Sequence, residues 1–130
     1  VAGIYDPMTI EKIGYIEGVV SEFVGKNSSI PSTDYTLNFR TYGSADSSLC
    51  VIIDCVGKTQ DIADTICSLA RSRMLHCDYE GRKCSAGNLA FPFSPSDIHV
   101  GAVYEFSVFH LAEVDSLMET ADSTVMEVGR

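Results

Sequence analysis

The residues best suited to chemistry cluster late in the chain. The run Ser85-Ala86-Gly87-Asn88-Leu89-Ala90-Phe91-Pro92-Phe93-Ser94-Pro95-Ser96-Asp97 carries Asn88, Ser94, Ser96 and Asp97 on a backbone stiffened by Pro92 and Pro95. With His110 further on, these side chains would supply donors, acceptors and a proton carrier held on an anchored chain. They are the candidate catalytic residues. Against that reading, Leu89, Phe91 and Phe93 fall on one side of an extended chain, and packing against a neighbour is the simpler use of three large apolar groups. His110 alternates with Tyr104, Phe106 and Val108, as a hydrogen-bonded core histidine would.

Other combinations are weaker. Cys84 with His76 or His110 and Asp97 has the residue types of a nucleophilic site, but no glycine-framed nucleophile elbow is present. Gly57-Lys58-Thr59 stands where a phosphate-binding loop would, yet the glycine that loop needs five positions earlier is Ile52. A tight turn with a threonine cap accounts for the three residues. The five cysteines, Cys50, Cys55, Cys67, Cys77 and Cys84, form no Cys-x-x-Cys pair, so no metal site and no cofactor is expected. Their odd number fits free thiols in a reducing cytoplasm better than a disulfide scaffold.

The elements that must position these residues follow from periodicity. After the short apolar run Val1-Ala2-Gly3-Ile4, Asp6 and Pro7 make a strong helix start, and Ile10, Ile13, Ile16, Val20 and Val24 recur at helical spacing up to Gly25. Gly14 and Gly18 within that helix suggest close backbone packing on one face. Tyr35, Leu37 and Phe39 alternate with Thr36, Asn38 and Arg40 in a half-buried strand. Residues 49–56 form a second strand, apolar on both sides except for Asp54, and the two make a hairpin. Thr59 then caps a helix reaching about Cys77, with Ile62, Ile66, Leu69, Ala70 and Met74 inward and Asp61, Asp64, Ser68, Arg71 and Ser72 more outward. The last strand is expected over residues 103–111, and Arg40, Asp54 and Glu105 would share the open face of the sheet.

The order strand, helix, strand, strand, helix, strand gives an α+β, ferredoxin-like βαββαβ fold, an antiparallel sheet with two helices on one face. This domain spans residues 1–112, and residues 113–130 are an acidic tail, either a short helix or a frayed end. A chain of 130 residues fits one domain. Nine basic against eighteen acidic side chains, a net charge of −9, argue against nucleic acid or an anionic membrane as partner. No apolar stretch approaches a membrane span. A central strand that starts at residue 1 without an initiator Met points to a fragment of a longer protein.

Read as text, the chain resembles the carboxy-terminal part of the acyclic terpene utilisation family. The resemblance rests on Ala2-Gly3-Ile4-Tyr5-Asp6-Pro7, the stretch from Thr59-Gln60 to Ala70-Arg71-Ser72, Leu75-His76, and above all Ala86-Gly87-Asn88-Leu89-Ala90-Phe91-Pro92-Phe93-Ser94-Pro95-Ser96-Asp97-Ile98. It continues through Gly101, Val103-Tyr104, Phe106 and His110. Tyr5 departs from the arginine usual in that family. The resemblance implies a fragment of a cytoplasmic protein tied to breakdown of branched acyclic terpenes, and carries over no catalytic residue. The expected function is an accessory or oligomerisation domain that packs its both-faces-apolar strand, residues 49–56, and its proline-rich segment on the preceding domain of the same protein or on a second copy of the chain. The alternative is a domain contributing a catalytic site to an enzyme acting on a branched acyl or hydroxy-acid intermediate.

Overall fold

A computed structural model describes residues 1–83, 88–108, 111, 113 and 126. They form an α+β fold with a four-stranded antiparallel sheet and three helices. The elements are β1 (Ala2–Ile4), α1 (Pro7–Glu11), α2 (Ile13–Asn27), β2 (Tyr35–Ser44), β3 (Ser48–Gly57), α3 (Gln60–Leu75) and β4 (Leu89–Ala90). In space the strands run β2-β3-β1-β4.

The start of α1 is the one its sequence dictates. Asp6 is extended, its carboxylate accepts from Thr9 N at 2.8 Å, and Pro7 occupies the first turn, where a missing N–H costs nothing. The single helix expected up to Gly25 is instead two, separated at Lys12, and the second runs on to Asn27. Gly14 and Gly18 face open space, so the close packing expected of them does not occur.

The β2–β3 hairpin is the widest pairing, in register from Tyr35 opposite Gly57 to Ser44 opposite Ser48. Its alternation puts Tyr35, Leu37, Phe39, Val51, Ile53 and Cys55 against the core. Gly43 has a φ of +120°, and a Cβ there would run into the Ser48 carbonyl. At the far end of β3, a Cβ on Gly57 would stand 2.7 Å from Ala63 N and 3.0 Å from Thr59 O, so glycine lets the strand turn closely into α3. Thr59 caps that helix by accepting from Ile62 N at 3.3 Å. Lys58 is engaged with Asp34 Oδ1 at 2.6 Å. The Gly57-Lys58-Thr59 stretch is thus a turn and a cap.

Ile16, Val20 and Val24 of α2 join Ile66, Ala70 and Met74 of α3, Ile4 and Val51 in one core. Burying such side chains stabilises the fold by roughly 1.5–3 kcal/mol each. Behind α3, Arg82 donates to the carbonyl of Leu75, which the helix end leaves without an intrahelical partner, and to that of Cys77 just beyond the cap.

The fourth strand is not where alternation alone puts it. Residues 103–108 lie in no strand, while Leu89 and Ala90 pair with Ile4 and Gly3. Leu89 packs on the core, whereas Val103, Tyr104, Phe106 and Val108 are exposed. The edge of β1 offers three residues, and the chain returning from α3 reaches it first. Glu105 therefore does not join Arg40 and Asp54, which pair with each other at 2.8 Å. His110 and most of the acidic tail lie outside the described residues. No described helix is long and apolar enough to cross a membrane.

Candidate functional site

The segment after α3 is tied down at two places, and both use residues singled out by type. Asn88, held at a φ of +56° that asparagine tolerates better than most residues, donates its amide to Thr9 Oγ1 at 3.2 Å. Thr9 is only 1% exposed. Its hydroxyl lies 2.7 Å from Asp6 Oδ2 and 2.7 Å from Tyr79 Oη. The carboxylate only accepts, so the Thr9 proton goes to Asp6, and Tyr79 and Asn88 must both donate to Thr9. One donor and two lone pairs are all used. These bonds, led by the Thr9 side chain and then its backbone N–H, hold the Asp6 carboxyl below the usual carboxylate range.

The second tie is on α3. Arg71 donates from Nη1 to Ser96 Oγ at 3.0 Å and from Nη2 to Ser68 Oγ at 3.3 Å. Its Nε lies 3.0 Å from Asp97 Oδ1, an ion pair without hydrogen-bond geometry. Two turns earlier on the helix, Asp64 Oδ1 meets His99 Nε2 at 3.0 Å. Asp64, Ser68 and Arg71 follow one another at spacings of four and three, so they make a polar stripe on one face of α3, and the segment fastens to it.

Beside this stripe lies an open-sided cavity of about 650 Å³. Val51 and Cys55 of β3, Cys67 and Met74 of α3, Leu89 and Phe91 form its apolar walls, and residues 96–103 pass along it as a strap. Burial, followed by the neighbouring Cys67 and the Asp54 and Asp64 carboxylates, pushes the Cys55 thiol up to about 11. Burial, then Asp97, raises Cys67 as well. Both thiols remain protonated at neutral pH and act as apolar wall rather than nucleophile. Cys50, Cys55, Cys67 and Cys77 are all free. Among the described residues no group of His, Cys, Asp and Glu is placed to hold a metal ion.

The candidate residues thus divide. Ser96 and Asp97 come together on Arg71 at the cavity wall. Asn88 belongs to the Thr9 cluster, and Ser94 is exposed without a described side-chain hydrogen bond. His110 and Cys84 lie outside the described residues, and His76 is exposed at the C-cap of α3. Sequence reasoning passed over Thr9, Arg71, Asp64 and His99 as site residues. The stripe of Asp64, Ser68 and Arg71 was a readable signal for two of them, whereas nothing local marked Thr9 as more than a helix residue. No protein-family model, no curated protein and no solved structure matches the chain.

Proposed function

We propose that this chain is an accessory and assembly domain, docking on the preceding part of a larger protein or on a second copy of itself through the apolar run between Ile98 and Val108. One observation carries the reading. Val100, Tyr104 and Phe106 are 92%, 89% and 91% exposed, and Ile98, Val103 and Val108 are each more than half exposed. Single exposed apolar residues are ordinary, but a contiguous row of them marks an interaction surface. Residues 101–108 also lie outside any helix or strand. The period-two pattern of Tyr104, Phe106 and Val108 suits a segment that becomes a strand when a partner supplies an edge.

The topology we infer is ferredoxin-like βαββαβ. The spatial order β2-β3-β1-β4, antiparallel neighbours throughout, and helices following β1 and β3 support it. The larger protein is proposed to be a cytoplasmic member of the acyclic terpene utilisation family, on the strength of the Gly87–Asp97 run and the free thiols. Disruption of the gene should then impair growth on branched acyclic terpenes, and unimpaired growth would remove that association.

Sedimentation tests the assembly reading. The chain should self-associate or aggregate at micromolar concentration, and Tyr104→Ser with Phe106→Ser should return it to a soluble monomer. A monomer that stays monodisperse to about 1 mM, unchanged by the two substitutions, would sink the reading. The alternative, a domain lending catalytic groups to an enzyme acting on a branched acyl or hydroxy-acid intermediate, is favoured by the meeting of Ser96 and Asp97 at the cavity wall. Ser96→Ala in the whole protein would then abolish turnover without lowering stability.

A further inference from the structure

We propose that the open half of the β3 edge receives residues 104–108 of a second copy as an added antiparallel strand. The proposal rests on the assembly reading and names the surface on which the exposed run docks. Register shows which backbone groups are free there. Lys58 N donates to Asp34 O at 2.9 Å, one step beyond Tyr35 opposite Gly57, so that pair is a hydrogen-bonded one. Such pairs recur at every second position of an antiparallel ladder. Val56, Asp54 and Ile52 therefore bond to β2, while Gly57, Cys55 and Ile53 turn their N–H and C=O groups the other way, to the side where β1 lies. β1 covers only Val51, Cys50 and Leu49. Among the described residues, nothing pairs with the backbone of Ile53 or Cys55 on that side. An open edge of this kind is a template for another strand.

The exposed run fits this edge by parity. Residues directly opposite each other in an antiparallel pair carry their side chains on the same face. Ile53 and Cys55 face the core, so a strand bonded to them must place apolar side chains opposite. Tyr104, Phe106 and Val108 alternate with Glu105 and Ser107. They meet that requirement with Tyr104 opposite Gly57, Phe106 opposite Cys55 and Val108 opposite Ile53. Their side chains then enter the space of about 650 Å³ beside the edge, whose walls include Cys67, Met74, Leu89 and Phe91. A slip by one residue would drive Glu105 against those walls instead, so the register is fixed. The occupant is a second copy because one molecule leaves both halves unsatisfied: Tyr104 and Phe106 stand exposed while the edge stays bare. Exchange is reciprocal, each copy giving a segment and an edge, so the assembly closes at a dimer.

Amide exchange of the full chain by NMR, with sedimentation of the same samples, tests the pairing. The double variant Tyr104→Ser, Phe106→Ser is the unpaired reference, since both residues are exposed and outside any helix or strand, and their loss leaves the fold intact. The Ile53 and Cys55 amides should exchange about tenfold or more slower in the unmodified chain than in the variant. Ile52, Asp54 and Val56, bonded to β2 in both, should differ by less than about twofold. Sedimentation should give a dimer for the unmodified chain and a monomer for the variant. A dimer whose Ile53 and Cys55 amides exchange as fast as the variant's overturns the proposal and leaves the assembly reading standing. Slow Ile53 and Cys55 amides in a monomer would place the segment on the edge of its own molecule, which also overturns it. Equal slowing at all five amides would report a general gain in stability and count against the pairing. A monomer with fast amides ends both readings.

Discussion

The segment that returns from α3 is fastened twice, and the two fastenings are built to different rules. At Asn88 it enters a cluster around Thr9, where Asp6, Tyr79 and Asn88 use every hydrogen-bonding capacity of one buried hydroxyl. At Ser96 and Asp97 it meets Arg71, in an ion pair whose side chains are 33% and 32% exposed, beside an open cavity. Releasing the first would strand the Thr9 and Tyr79 hydroxyls away from water, while releasing the second lets water take the partners' place. A buried, saturated cluster fixes where a chain lies, and a half-wetted one leaves it able to move. The cavity is bordered by the second kind.

The sharpest way to break this contrast is Thr9→Val. The substitution keeps the shape and removes the shared hydroxyl, so the Tyr79 hydroxyl and the Asn88 amide both lose their acceptor. A buried group left unsatisfied costs about 1–3 kcal/mol, and a loss of roughly 2–4 kcal/mol in urea unfolding is expected. A loss below about 0.5 kcal/mol would show that the cluster does not anchor the segment. Asn88→Ala should cost less, about 1–2 kcal/mol, from one hydrogen bond and the strain of a left-handed backbone. Asn88→Gly relieves the strain but not the lost bond, and the difference between the two variants measures each share. Arg71→Gln should cost under about 1 kcal/mol, because partly exposed ion pairs are worth little. Its effect should appear instead as greater backbone mobility of residues 96–103, read as lower NMR order parameters.

What the sequence reveals of this arrangement depends on how local the determinant is. Asp6-Pro7, the alternation of Tyr35, Leu37 and Phe39, and Thr59 ahead of Ile62 act within a few residues, and α1, the hairpin and the start of α3 lie where they indicate. Alternation over residues 103–111 shows only that the stretch suits a strand, not that an edge is within reach. Leu89 and Ala90 take the edge of β1 because the Thr9 cluster delivers them there. That cluster joins residues 70 and 79 positions apart, a distance at which no periodicity speaks. Ser96 and Asp97 were legible by type, but their partner Arg71 looked like one more charge on an outward helix face.

The smallest effect isolates the buried fastening by its pH dependence. Asp6 has its carboxyl held low by the Thr9 side chain first and the Thr9 amide second. A carboxylate with a depressed folded-state pKa contributes stability above its unfolded value, near 3.9, and that contribution is lost as pH falls through the lower folded value. Asn is an equally good N-cap, so Asp6→Asn should unfold almost as the unmodified chain does at pH 7. As the pH drops below about 4, the unmodified chain should lose stability more steeply than the variant, and their urea midpoints should converge or cross. Asp34 and Glu22, also held low by lysine partners, titrate in both proteins and cancel from the difference. Arg71→Gln should leave the Asp6-dependent slope unchanged, since nothing on α3 contributes to it. Equal acid slopes for the unmodified chain and Asp6→Asn would mean that the carboxylate is not bound to Thr9 in solution, and the two fastenings would then be alike.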